Sequence, residues 1–358
     1  MTKLKIRESL INYVKNSYVS DEDGAHGAPE FDCALGINPF GCSEQVKKAL
    51  SETEDPSHYP DYPYTQTLKA LSSFWSKTSP VKPSNFRMYG GSVAALDAVC
   101  RIFGQGISLG YTPQFTEFIT VVTINGGLYE SVNMAENPNC KFDEKQLIAA
   151  IDRRHSLVYI DNPNNPTGQV ISLDQIEKII KKAGEAGAAV LVDEAYADYI
   201  EDSESAITLI NNYDNLFVAR SFSKGYGLAG LRVGYLACCD DLQSYLRKTG
   251  LPFAISSRNA KLAVTALGDQ DFIKFTRSEV LKIKPKMLSG LKKLKVLETD
   301  KRTPIMSLED TSGENLFEKL LRKGVLTEFG PEVGLGVNAV RLRIHRQDEK
   351  LTEILNSL

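Results

Sequence analysis

Three apolar runs in the middle of the chain, Leu157-Val158-Tyr159-Ile160, Ala189-Val190-Leu191-Val192 and Leu216-Phe217-Val218, carry no charged residue at any position. Continuous runs of this length predict strands buried on both faces. Between the first two, Ile176, Ile179, Ile180 and Ala183 recur at helical spacing behind Ser172-Leu173-Asp174-Gln175, a capping-box sequence. Strands alternating with helices predict an α/β domain with a mostly parallel central sheet flanked by helices. Upstream, Leu68, Leu71 and Trp75 predict a helix after the proline-stiffened turn His58-Tyr59-Pro60-Asp61, and Ala94 to Ile102 predicts another. Ile107-Ser108-Leu109 reads as a short strand. Near the C-terminus, Val340-Arg341-Leu342-Arg343-Ile344-His345 alternates strictly, which as a strand puts the apolar residues on one face and Arg341, Arg343 and His345 on the other.

A change of composition near residue 241 divides the chain. Residues 1–35 read as a polar N-terminal arm and candidate active-site lid, 36–240 as a large α/β domain, and 241–358 as a smaller α+β domain. The basic run Lys282, Lys284, Lys286, Lys292, Lys293 and Lys295 is expected to form a solvated helix face, with Pro285 breaking or starting a helix. Of the 358 residues 42% are hydrophobic, enough for a substantial core. A net charge of -3 gives no reason to expect nucleic acid or a membrane as partner. Small molecules fit better. The six cysteines lack metal-site spacing and the adjacent Cys238 and Cys239 are poorly placed for a bridge, so reduced thiols in a cytoplasmic protein, with no metal, are expected. Met1 to Leu10 lacks the apolar core of a signal peptide.

Functional residues of such folds gather where strands end. Here those ends deliver Asp161 to Gly168, then Asp193-Glu194-Ala195-Tyr196, then Arg220 to Tyr235. In the last stretch Lys224 is framed by Ser221, Ser223 and Arg232. That arrangement suits an anchored aldehyde cofactor, with the lysine as a Schiff base and the hydroxyls and arginine on a phosphate. Taken alone, a Ser-x-Ser-Lys in a glycine-rich stretch is equally a surface loop. Asp193 alone also suits a helix N-cap. Gly90-Gly91-Ser92 opens a helix pattern and allows backbone N–H groups to approach a phosphate, or is a simple cap.

Together these segments resemble the fold-type I aminotransferases of class I/II, in particular histidinol-phosphate aminotransferase and threonine-phosphate decarboxylase. The resemblance runs from about Gly36 to Arg341 and implies pyridoxal 5'-phosphate as cofactor. It implies Lys224, Asp193 and Tyr196 as catalytic residues, with Asp193 against the ring nitrogen, where a carboxylate keeps the ring an electron sink. It also implies Asn165 and Tyr196 on the phenolic oxygen, Phe115 on the ring face, and Gly91, Ser92, Ser221, Ser223 and Arg232 around the phosphate. Tyr59 would reach the phosphate of a neighbouring subunit, implying a homodimer with shared sites. Asn38, in Gly36-Ile37-Asn38-Pro39, and Arg341 are the implied substrate ligands, Arg341 for the α-carboxylate and Arg343 as the alternative under a gapped alignment. The chain departs from the family at Ile37, Ser92, Val93 and His345, which would fill part of the substrate pocket, and at Ala254-Ile255-Ser256-Ser257. Transamination of a free L-α-amino acid is the expected reaction. Elimination with ring closure on a hydroxylated arginine is the alternative, with Asp21, Glu22 and Asp23 receiving a guanidinium and His26 as an added acid or base. Threonine-phosphate-type decarboxylation is the third. A cofactor-binding regulator is disfavoured, because no DNA-reading domain is attached.

Overall fold

The computed structural model describes residues 5–11, 13–15, 29–52, 55–103 and 105–358. Its strands are β1 Phe31–Asp32, β2 Phe86–Tyr89, β3 Ile107–Thr112, β4 Leu128–Asn133, β5 His155–Asp161, β6 Ala189–Asp193, β7 Leu216–Ser221, β8 Gly234–Ala237, β9 Lys295–Val296, β10 Ile305–Glu309, β11 Val325–Leu326, β12 Glu328–Phe329 and β13 Ala339–Arg343. Seven of them form one sheet in the order β2-β8-β7-β6-β5-β3-β4, and only β8 opposes the rest. The three central apolar runs are the buried strands β5, β6 and β7. Their side chains alternate between two cores: Val158, Ile160, Val190, Val192 and Val218 enter one, and Leu157, Tyr159, Leu191, Phe217 and Ala219 the other. Helices cover both faces, so neither face of these strands meets water, which explains the absence of polar alternation. The helix Leu173–Ala186 begins on the expected capping box, with Ser172 and Gln175 side chains each taking the other's backbone N–H, and stops at Gly187 in the left-handed region (φ 82°).

A second, smaller unit contains the antiparallel sheet β12-β13-β10-β9 and its own apolar core. Three expectations change here. Strand β1 pairs with β11, and Phe31 and Cys33 are part of this smaller core, so residues 31–33 belong to the C-terminal layer rather than to a free arm reaching residue 35. The helix Gln270–Gly290 runs straight through Pro285. The carbonyl that Pro285 frees is that of Leu281, an exposed residue where water can reach it. Lys284, on the same helix, is fully buried rather than solvated. Among the described residues no helix is long and apolar enough to cross a membrane.

Candidate active site

The parallel strands β5, β6 and β7 end side by side, and their last residues open into one cleft. Register places Asp161 beside Asp193 and Asp193 beside Ala219, so the loops that follow leave the sheet at the same edge. The cleft holds about 830 Å³ free of protein atoms, its solvent mouth included. Of the residues expected there, Ser92, Phe115, Asn165, Asp193, Tyr196, Ser221, Ser223, Lys224, Arg232 and Arg341 all line it. Residues more than 200 positions apart in sequence thus converge on one space.

Lys224 faces this space with its amine 5.1 Å from the centre of the Tyr196 ring. Burial, then the positive charge of Arg341, pulls the amine down from 10.5 to about 7, with Asp193 opposing. A lysine in this setting is neutral for much of the time at physiological pH, the form a nucleophile or base requires. Asp193 moves the other way, pushed up to about 7 by burial and by the neighbouring Asp161. Its Oδ2 accepts from the Tyr159 hydroxyl at 3.1 Å and its Oδ1 from the Ala195 N–H at 3.0 Å, which fixes the carboxyl's direction. A cation placed against it would draw its pKa back down.

At the other end of the cleft, Arg232 stands in the left-handed region (φ 52°), with Nη1 3.4 Å from Ser223 Oγ and 2.9 Å from the Ala229 carbonyl. Gly91 does not line the cleft but makes room for this arginine: a Cβ there would lie 2.6 Å from Arg232 Nη2. The helix Ser92–Phe103 starts at the same cleft, which Ser92, Ser221, Ser223 and Arg232 all line, and a helix N-terminus with hydroxyls and a guanidinium suits an anion. Arg341 is buried on β13. It donates to Asn165 Oδ1 at 2.9 Å and Glu328 Oε1 at 2.8 Å, and also to the Ala34 carbonyl. Arg343 does not line the cleft, being spent on the carbonyls of Leu35, Ile344 and Asp32. Of the two arginines, it is Arg341 that lines the cleft.

Three of the expected residues stand elsewhere. Asn38 is buried outside the cleft, its amide given to the Gly225 carbonyl and Thr276, so it is not placed to touch a substrate. His345 packs edge-on against Phe31 (5.1 Å between centres) and fills no part of the pocket. Tyr59 is 82% exposed and packs at a tilt against Phe253. His26, with Asp21, Glu22 and Asp23, lies outside the described residues. Sequence reasoning gave no role to Asp161, which proves to be the hub of the cleft floor. It accepts from the Tyr111 hydroxyl, Gln114, Asn164, and the N–H groups of Phe115 and Asn165, all within 3.3 Å. Its position at the end of a buried strand was the available signal. Glu328, the partner of Arg341, sits in a two-residue strand with no such signal.

The cleft suits pyridoxal phosphate: among the described residues the Tyr196 hydroxyl and Arg341 Nε are buried without a partner, and both side chains line the space a ligand would fill. The family model for aminotransferase class I and II matches residues 31–358. The chain belongs to this family. It is a pyridoxal-phosphate-dependent aminotransferase, with a small-molecule amino acid as substrate. Among curated relatives, histidinol-phosphate aminotransferase 2 of Archaeoglobus fulgidus is 27% identical over 331 residues, covering 90% of this chain and 91% of its own. The histidinol-phosphate aminotransferase of Caldicellulosiruptor saccharolyticus is 31% identical over 304 residues, with 83% and 82% covered. The histidinol-phosphate aminotransferase of Sinorhizobium meliloti, solved in complex with pyridoxal-5'-phosphate, shares the fold at a TM-score of 0.81 and 21% identity over 99% of this chain and 96% of that one. The threonine-phosphate decarboxylase of Porphyromonas gingivalis, at 18% identity and a TM-score of 0.78 over 91% and 98%, is likewise similar in fold. Both curated relatives are named for amino transfer, while the decarboxylase is similar in fold alone.

Proposed function

We propose that this aminotransferase takes L-α-amino acids whose carboxylate pairs with Arg341 and whose side chain lies against the apolar wall made by Leu35, Ile37 and Val93. The observation that carries the reading is the make-up of the cleft: its cations, Lys224, Arg232 and Arg341, are each suited to a lysine link, a phosphate and a carboxylate, and that outer wall is apolar. When bound, pyridoxal phosphate supplies an aldehyde for the amino group and a ring that draws electrons from the substrate α-carbon. The chain's own residues do the rest. Arg232, Ser221, Ser223 and the start of the helix at Ser92 would hold the phosphate. Phe115 would cover the ring, Asp193 would serve its nitrogen, and Asn165 and Tyr196 would donate to its phenolic oxygen. Asn165 can do so while its Oδ1 accepts from Arg341, because the amide N–H groups remain. Lys224 would serve as the base that takes up and returns the substrate's α-proton, and its lowered pKa suits a base working near neutrality.

Tyr59, exposed and outside the cleft, is proposed to complete the phosphate site of a second subunit in a homodimer. Six free thiols suit the proposed cytoplasmic location. The relatives' names favour a second reading, histidinol phosphate as amino donor, which requires a cation for a second phosphate. One experiment separates the two. The loaded enzyme is mixed with leucine, phenylalanine, glutamate, histidinol phosphate, threonine phosphate, arginine and hydroxyarginine, and cofactor and products are followed by mass spectrometry. Conversion of the cofactor to its amine form by the apolar amino acids supports the first reading, and conversion by histidinol phosphate alone supports the second. Retained aldehyde with a product lacking water or carbon dioxide would defeat both.

A further inference from the structure

The backbone of Gly225, the residue after Lys224, is held at its N–H and at its carbonyl by side chains from distant parts of the chain. Asn38 Nδ2 donates to the Gly225 carbonyl at 2.7 Å, and Asp198 Oδ2 accepts from the Gly225 N–H at 3.2 Å. The fit leaves no slack, since a Cβ on Gly225 would lie 2.3 Å from Asp198 Cβ. Both holders are themselves fixed. Asn38 Oδ1 accepts from the Phe40 N–H at 2.8 Å, which decides which end of its amide meets Gly225, and Nδ2 also lies 3.3 Å from Thr276 Oγ1. Asp198 Oδ1 accepts from Arg220 Nη2 at 2.7 Å, and its carbonyl accepts from Arg277 Nε at 2.8 Å. Thr276 and Arg277 are neighbours on the helix Gln270–Gly290, so one helix braces both holders.

The segment carrying Asn38 also walls the cleft. Leu35, Gly36 and Ile37 line it, and Gly36 comes so near that a Cβ would stand 1.8 Å from the Tyr196 hydroxyl and 3.1 Å from Lys224 Nζ. We infer that Asn38 and Asp198 clamp the Gly225 backbone, one at the carbonyl and the other at the N–H, and that Asn38 is thereby a positioning residue for Lys224. The clamp ties the amine to the wall against which the substrate rests. The inference rests on the reading of Lys224 as the cofactor lysine. A lysine side chain has four rotatable bonds, so its amine reaches one proton reproducibly only if its own backbone is held. A base must come within about 2.6–3.2 Å of the proton it takes, and a misplacement of about 1 Å can cost on the order of 10²-fold in rate.

The test uses the full chain with Asn38→Asp. This variant keeps the oxygen that accepts from Phe40 but turns a carboxylate oxygen, in place of a donor, toward the Gly225 carbonyl. The clamp predicts a kcat lower by about tenfold or more, with the amino-acid KM within about threefold. It also predicts a shift of about half a pH unit or more in the midpoint of the cofactor's visible band. In cofactor-free protein, the pH for half-maximal carbamylation of Lys224 by cyanate, read by peptide mass spectrometry, moves as well. Asn38→Ser serves if the aspartate variant does not fold: its hydroxyl can still close the turn but is too short for Gly225. A folded variant of either kind with kcat within about twofold of wild type and unmoved midpoints overturns the clamp. Lys224→Ala separates this from the underlying reading. A visible band that survives there defeats the assignment of Lys224, whereas a lost band beside an Asn38 variant like wild type defeats the clamp alone.

Discussion

Lys224 and Lys284 are both removed from bulk water, and burial lowers both amines to about 7. Their surroundings differ in kind. Lys224 looks into a cleft beside a tyrosine ring, with charged Arg341 and Asp193 setting its titration. Lys284 is enclosed by four oxygens, Thr299 Oγ1 and the Asp300 carbonyl at 2.6 Å, the Ile305 carbonyl at 2.7 Å and Thr303 Oγ1 at 3.0 Å. Carbonyl oxygens only accept, so this cage favours the ammonium and opposes the pull of burial. The cage is also structural: Thr303 Oγ1 donates to the Gly168 carbonyl at 2.9 Å, joining the smaller unit to the loop that carries Asn165. A buried lysine is therefore reactive or merely cohesive according to whether acceptors are waiting for its protons.

The sharpest way to break this contrast is to remove each lysine. Lys224→Ala should abolish the visible band of the bound cofactor and lower turnover by about 10²–10⁴-fold or more. Lys284→Met should keep the band and instead lower the unfolding free energy by about 3 kcal/mol, because several buried acceptors lose their donor. Absorbance and urea denaturation of the two variants decide it. A well-folded Lys284→Met without the band would show that both lysines serve the cofactor.

Arg341 supplies the next test, as the charge that most lowers the Lys224 amine. Arg341→Lys keeps a charge but loses the planar fork, so the amino-acid KM should rise about tenfold or more. Arg343→Lys, with its partners all backbone carbonyls, should cost stability and leave KM alone. Steady-state kinetics that reversed these two outcomes would move the carboxylate site to Arg343.

A third test is the dependence of stability on pH in cofactor-free protein. Lys224 titrates at about 7 when folded and near 10.5 when unfolded, so between these values the unfolded chain binds more protons. Its contribution to stability therefore rises with pH from about 7 to about 10. Asp193, raised from 3.8 to about 7, makes the folded chain the better proton binder from about 4 to 7, and its contribution falls over that range. Urea midpoints measured across pH for wild type and Lys224→Met should differ in slope above 7. Parallel curves would show that Lys224 is not held neutral.

The contrast also explains what the sequence could reveal. Lys224 was legible because its chemistry needs several residue types at the ends of three successive strands, and strand ends are marked by where apolar runs stop. Lys284 was not, although a signal existed. At about 100° per residue Lys282 and Lys286 lie only about 40° apart on a helix, while Lys284 falls on the opposite side. The first two are exposed and paired with Glu279 and with Asp348 and Glu349. Expecting Pro285 to interrupt the helix hid that phase. Asn38 shows another limit: its motif marked a place near the site, but only the fold turns its amide toward Gly225 and away from the substrate. The inward placement of Arg341 depends on a cross-strand partner, Glu328, whose approach no local pattern encodes.

The smallest effect tests the cage itself. Thr299→Val removes one of the four oxygens around Lys284 while nearly preserving shape, and three acceptors remain for three protons. The loss should therefore be that of one hydrogen bond to a charged group, about 1.5–3 kcal/mol, with the visible band and turnover unchanged. If Lys284 were held neutral, the lost contact would be an ordinary neutral hydrogen bond, and Thr299→Val would cost only about 0.5–1 kcal/mol at pH 7. The stability difference between Thr299→Val and wild type at neutral pH thus reports directly whether the cage keeps its lysine charged.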